Sequence, residues 1–151
     1  MNRHIQTIFC DDIRHEIGGK LSYIGVYSGR LIVSQFPVTL PKLCLALNVV
    51  TSSSEPFRSL SLSVLKNEEM LAHPVLDEAQ LTEACEAAVT ANADVALPLP
   101  ALIASFLFVF SPFILEGPCL LRVRAETESE ELQGIALRIE QAPPEVVHSD
   151  E

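Results

Sequence analysis

Side chains that switch between apolar and polar at every second position constrain this chain more than any other feature. In residues 57–65, Leu60, Leu62 and Val64 face one way and Ser59, Ser61 and Ser63 the other. Leu121 and Val123 oppose Arg122 and Arg124, and Ile135, Leu137 and Ile139 oppose Arg138 and Glu140. A helix would scatter such residues around its surface, whereas an extended strand gathers them on one face. Each segment therefore reads as a strand with one buried and one wet face, the pattern of antiparallel sheets covered on one side.

Other segments are apolar on both faces. Leu43, Leu45, Leu47 and Val49 form one row, Cys44, Ala46 and Val50 lie on the other, and Leu21 to Tyr27 behaves similarly. These read as central strands covered by loops or by a partner chain. Gly18-Gly19 suits a tight hairpin, and Ser28-Gly29, Pro37, Pro41, residues 52–56, Glu116-Gly117-Pro118 and the acidic residues 126–131 separate further runs. About nine short strands at this spacing predict a mostly β fold, an antiparallel two-sheet β-sandwich of the immunoglobulin-like or C2-like type.

One region breaks the rhythm. Residues 77–93 are rich in Ala and Glu, with Leu81, Ala84, Cys85, Ala88 and Val89 at helical spacing. Asp77 and Gln80 form a capping-box pair, so an inserted helix is predicted across one end of the sandwich. The expected organisation is one domain over residues 1–140, followed by an acidic flexible tail over 141–151.

Charge narrows the partners. The 151 residues carry a formal net charge of -10, which repels phosphate backbones and anionic membranes and argues against nucleic acid as a partner. Cys10, Cys44, Cys85 and Cys119 lie far apart with no C-x-x-C pair, the wrong spacing for a zinc knuckle. They read as reduced, packed thiols of a cytoplasmic protein. Residues 95–115 carry no charge, long enough to span a bilayer. Pro98, Pro100 and Pro112 interrupt them, however, and Phe106, Phe108 and Phe110 recur with the period of a strand, so no membrane span is expected.

The densest polar cluster is Asp11, Asp12, Arg14, His15 and Glu16, followed by Gly18-Gly19-Lys20. Three carboxylates and a His could hold a divalent cation. Yet adjacent residues of a strand point to opposite faces, which separates Asp11 from Asp12. The structural reading has Asp12 bonding turn amides while Arg14, Glu16 and Lys20 pair across the hairpin. No G-x-S-x-G is present, and Gly18-Gly19-Lys20 lacks the upstream glycines of a phosphate loop. No metal and no cofactor is called for. Cys10 precedes two acids, which raise a thiol pKa and do not activate it.

The opening third resembles a family of small bacterial proteins of unknown function. The matching residues are Cys10-Asp11-Asp12-Ile13-Arg14, Glu16, Gly19-Lys20-Leu21-Ser22, Ile24-Gly25-Val26-Tyr27, Gly29, Phe36-Pro37 and Leu40-Pro41-Lys42-Leu43. The resemblance covers about the first forty-five residues and weakens beyond them. It implies a small, bacterial, single-domain setting and assigns no catalytic or binding residue.

Together these observations lead to a non-enzymatic protein-binding or assembly module. The apolar excess in residues 43–50 and 95–115 leads further to a homo-oligomer, such as a symmetric dimer. The alternative is a metal-dependent ligand binder or enzyme using Asp11, Asp12, His15 and Glu16. A third reading is a structural piece of a larger apparatus, such as a phage-derived or secretion assembly.

Overall fold

The alternating segments become thirteen strands and one helix in a computed structural model that describes residues 3–91 and 101–144, apart from the side chains at 85 and 87–91. In order they are β1 (His4–His15), β2 (Leu21–Val26), β3 (Arg30–Val33), β4 (Val38–Leu40), β5 (Leu43–Ser52), β6 (Leu60–Lys66), β7 (Glu69–Ala72) and β8 (Val75–Leu76). After α1 (Glu78–Ala91) come β9 (Ala101–Phe110), β10 (Phe113–Leu115), β11 (Cys119–Thr127), β12 (Glu131–Gln133) and β13 (Leu137–Gln141).

Three sheets result. A four-stranded sheet runs β2-β1-β5-β9, and a small one pairs β10 with β4. The largest runs β3-β13-β11-β6-β7, with β12 beside β11 and β8 beside β6. One apolar cluster joins the two larger sheets: Phe9, Leu45, Leu47 and Val49 from one, Leu62, Val64, Leu121 and Val123 from the other. The chain is mostly β, and the period-two reading of residues 121–123 matches their buried and half-buried positions, whereas in β6 Ser63, expected on the wet face, is buried beside His73 Nδ1 at 3.2 Å.

The structure corrects several expectations. The sheets are not purely antiparallel: β3 and β13 run parallel, pairing Arg30 with Arg138 and Val33 with Gln141. No hairpin joins these strands, so nothing local forces them antiparallel. The run ending at Glu140 is not one strand. It breaks at Gly134, whose N–H bonds to Val123 O at 2.9 Å and whose Cα lies so close to Thr7 that a Cβ would sit 2.6 Å from the Thr7 methyl. Ile135, in the break, is therefore 72% exposed while Leu137 and Ile139 are buried. β2 is an edge strand with Leu21, Ile24 and Val26 exposed, so it is not covered on both faces as β5 is.

Around the expected hairpin, Gly18 and Gly19 both take positive φ, 88° and 77°, which suits a tight turn, and Glu16 N donates to Lys20 O at 2.8 Å. The capping box also forms: Gln80 N donates to Asp77 Oδ1 at 2.7 Å and Asp77 N to Gln80 Oε1 at 3.0 Å. Leu81 anchors α1 in the core, while Ala84 stays exposed. The Phe-rich run is β9, and no helix among the described residues is long and apolar enough to cross a membrane. The expected tail from residue 145 onward, Pro98, Pro100 and the side chains of Cys85, Ala88 and Val89 lie outside the described residues.

Candidate functional site

The polar cluster singled out in the sequence does not converge. Asp11 points toward the shared core side of the four-stranded sheet. There the Tyr27 hydroxyl donates to its carboxylate, and a Cβ at Gly25 would overlap it. Burial, and after it the Asp11 carboxylate, push the Tyr27 phenol well above its ordinary pKa, so Tyr27 stays a donor. Asp12 points the other way. Its Oδ1 accepts from Lys42 Nζ and from Ile13 N, both at 3.0 Å, and Arg14 Nε lies 3.7 Å from its Oδ2. The Lys42 bond holds the Asp12 carboxyl below its ordinary range, and Asp12 raises Lys42 in return.

The expected pairing of Arg14, Glu16 and Lys20 across the hairpin is therefore corrected. Arg14 pairs with Asp12 on its own strand, and Glu16 and Lys20 share only a backbone bond. Both side chains, and that of His15, are exposed near the turn. Among the described residues no three His, Cys, Asp or Glu side chains gather as a metal site. What the cluster does is brace the β1–β2 corner.

A second polar feature escaped the sequence reading. A cleft of about 980 Å³ opens between the start of α1, residues 54–58 and residues 128–130. On its wall the Arg3 side chain, 7% exposed, meets Glu128 at 2.5 Å and stacks over the Phe57 ring at 4.8 Å. Burial pushes the Glu128 carboxyl up, but Arg3 and the N–H groups of Glu128, Arg58 and Ser59 outweigh it and hold it at about 2. These partners are 125 residues apart, so no local pattern marks them. The pair ties the chain's start to the β11–β12 turn.

The largest feature is a contrast between the two outward sheet faces. Away from the core, the large sheet carries Arg30, Arg122, Arg124 and Glu140, with ion pairs from Arg30 to Glu140 at 2.8 Å and Arg122 to Glu68 at 3.1 Å. The four-stranded sheet is different. The register places Val26, Cys10, Cys44 and Val109 in one row, and Ile8, Ala46 and Leu107 in the next. Cys10, Cys44 and Ala46 are buried on the two central strands and Ile8 is half-buried, while the next row, Gln6, Asn48 and Ser105, is polar, and Asp12 with Lys42 borders the other end. Large exposed apolar side chains stand on the flanking strands: Val26 at 55%, Ile103 at 60% and Val109 at 57%, with Ile24 and Leu107 beside them. Burial raises the Cys10 thiol to about 11 and Cys44 in the same direction, so neither is an activated nucleophile.

Fold and surface thus define a mostly β chain with ion pairs across the outer face of its large sheet and an apolar band from Val26 to Val109 across the outer face of its four-stranded sheet. The chain belongs to the family of unknown function DUF6941, whose sequence profile matches residues 6–140. No curated protein matches it.

Proposed function

We propose that this chain is a non-enzymatic protein-binding and assembly module that docks through the apolar outer face of its four-stranded sheet. The observation that carries the reading is the exposure of Ile24, Val26, Leu107 and Val109 around the buried Cys10, Cys44 and Ala46 on that face, with Ile103 beyond the polar Gln6-Asn48-Ser105 row, opposite a sheet whose outer face carries the Arg30–Glu140 and Arg122–Glu68 ion pairs beside exposed Ile32, Met70 and Val75. Contiguous apolar exposure of this kind marks contact surfaces on soluble proteins. Full burial of one such side chain is worth roughly 1.5–3 kcal/mol. Covering the exposed half of the four contiguous ones gives roughly 4 kcal/mol per chain, at the lower end of what association costs. A partner that covers the face therefore needs hydrogen bonds as well.

The same reading takes the two larger sheets as layers of a sandwich of the immunoglobulin-like or C2-like type, within one domain over residues 1–140. Their common core supports it. A cytoplasmic setting is supported by Cys10 and Cys44, which stand opposite one another on β1 and β5 as free thiols. Homo-oligomerisation is part of the proposal, and light scattering of the full chain at micromolar concentration tests it. A mass of at least twice 16.5 kDa is expected, and a monomer that also fails to bind apolar dyes removes the docking face altogether.

A further inference from the structure

We infer that a second copy of this chain joins the four-stranded sheet edge to edge through β9, about a two-fold axis beside Leu107. This goes beyond the docking reading above, because edge pairing leaves the outer face open and joins the faces of the two copies. β9 ends its sheet and pairs, among the described residues, only with β5. All ten of its residues pair in unbroken register, so its free edge is regular, with alternate backbone N–H and C=O groups directed away from β5. The segment Ala101-Leu-Ile-Ala-Ser-Phe-Leu-Phe-Val-Phe110 has no charge, no proline and no glycine. Edge strands that are meant to stay single carry such guards.

The other edges of the two larger sheets carry them. On β2, Gly25 sits at φ 68° under the Asp11 carboxylate, and the β1–β2 pairing steps from Val26 to Ile24 across it. β7 has four residues, begins with Glu69 and meets β6 through a register shift at Val64/Leu65. β3 also has four residues and begins with Arg30. Only β9 combines length, regularity and neutrality. In a chain of net charge -10, two copies repel unless they meet where charge is absent, and residues 101–110 provide that place.

The axis is set by what lies along β9. Leu81 and Ala84 of α1 line a cavity of about 90 Å³ with Leu102, Ile103 and Ala104, so the helix stands beside the first part of the strand. The second half is left for pairing. An antiparallel ladder centred on Leu107 sets Ser105 opposite Val109 of the second copy, and half-buried Phe106 opposite its Phe108. Cross-strand aromatic pairs of this kind favour the register. The result is a closed pair with one continuous eight-stranded sheet and one continuous apolar face. Pairing β9 with β2 of the next copy would grow an open chain, and Gly25 interrupts that edge.

Sedimentation velocity of the full chain at micromolar concentration tests this with three variants. Leu107→Lys places two ammonium groups directly opposite each other at the axis, and Ser105→Lys is a second edge variant. Val26→Lys charges the same face at its far side. Circular dichroism checks that each variant keeps the wild-type strand content. The expected result is a wild-type dimer, a dissociation constant weakened at least tenfold in both β9 variants, and an unchanged dimer in Val26→Lys. A dimer lost equally in all three means the copies stack face to face, which overturns edge pairing and leaves the docking face standing. A wild-type monomer, or an open polymer, overturns the second copy on β9. A dimer that survives all three overturns the edge pairing.

Discussion

The Tyr27 hydroxyl donates to the Asp11 carboxylate, which fills the space that a side chain at Gly25 would need. Gly25 itself lies at φ 68°, a conformation that L side chains resist. Gly25→Ala is therefore expected to cost about 2–4 kcal/mol, from backbone strain together with the clash. Adding Asp11→Ala removes the clash and should recover part of that loss in urea unfolding. Equal losses in the two backgrounds would mean that Asp11 is not what confines Gly25.

Glu128 makes the chain acid-sensitive. Its carboxyl is held at about 2 against an ordinary value of 4.5, so the folded state binds this proton more weakly than the unfolded chain does. The Arg3–Glu128 stabilisation is thus complete above pH 4.5 and is lost as the pH falls toward 2. Its size is about 2–3 kcal/mol, allowing for partial exposure of Glu128. Glu128→Gln should flatten this part of the stability curve in urea titrations between pH 5 and pH 2. A wild-type slope retained in the variant would place the acid-sensitive group elsewhere.

Asp12 lies in an exposed network with Lys42 and Arg14. Solvent screens such exposed pairs, so Asp12→Asn should leave the urea midpoint nearly unchanged. Thermal melting with added Ca²⁺, Mg²⁺ or Zn²⁺ should match melting without them. A metal-dependent rise in Tm that Asp12→Asn abolishes would reinstate a site in the β1–β2 hairpin.

Burial raises the thiols of Cys10, Cys44 and Cys119, but Cys119 is partly exposed while Cys10 and Cys44 are fully buried. Iodoacetamide at neutral pH should therefore modify Cys119 before Cys10 and Cys44, which react only at the rate of unfolding. Peptide mapping after timed alkylation reads this directly. Early labelling of Cys10 would contradict the packing of the central strands.

Much of this fold is written in short-range pattern. The serine–leucine alternation of β6, the arginine–leucine alternation of β11 and the Asp77–Gln80 capping box are local, and local rules recover them. The break at Gly134 is not local, because it depends on Thr7 approaching from a strand far away in the chain. The parallel β3–β13 pairing and the Arg3–Glu128 tie are likewise made by residues more than a hundred positions apart. Asp11 and Asp12 were separable in the sequence by strand alternation alone. That Lys42 takes Asp12 and Tyr27 takes Asp11 needed the fold. The apolar face was half legible: residues 43–50 showed the central strand, but which flanking residues stay exposed follows from the register.

Hydroxyl-radical footprinting across a range of protein concentrations bears on the apolar face itself. Oxidation of Leu107 and Val109 should fall most as concentration rises and that of Ile103 less, while that of Ile24 and Val26 on β2 stays constant. Ile17 at 97% exposure and Ile135 at 72% serve as internal references whose labelling should stay constant. Concentration-independent labelling of all seven residues, or protection confined to Ile17 and the β1–β2 turn, would contradict docking through this sheet.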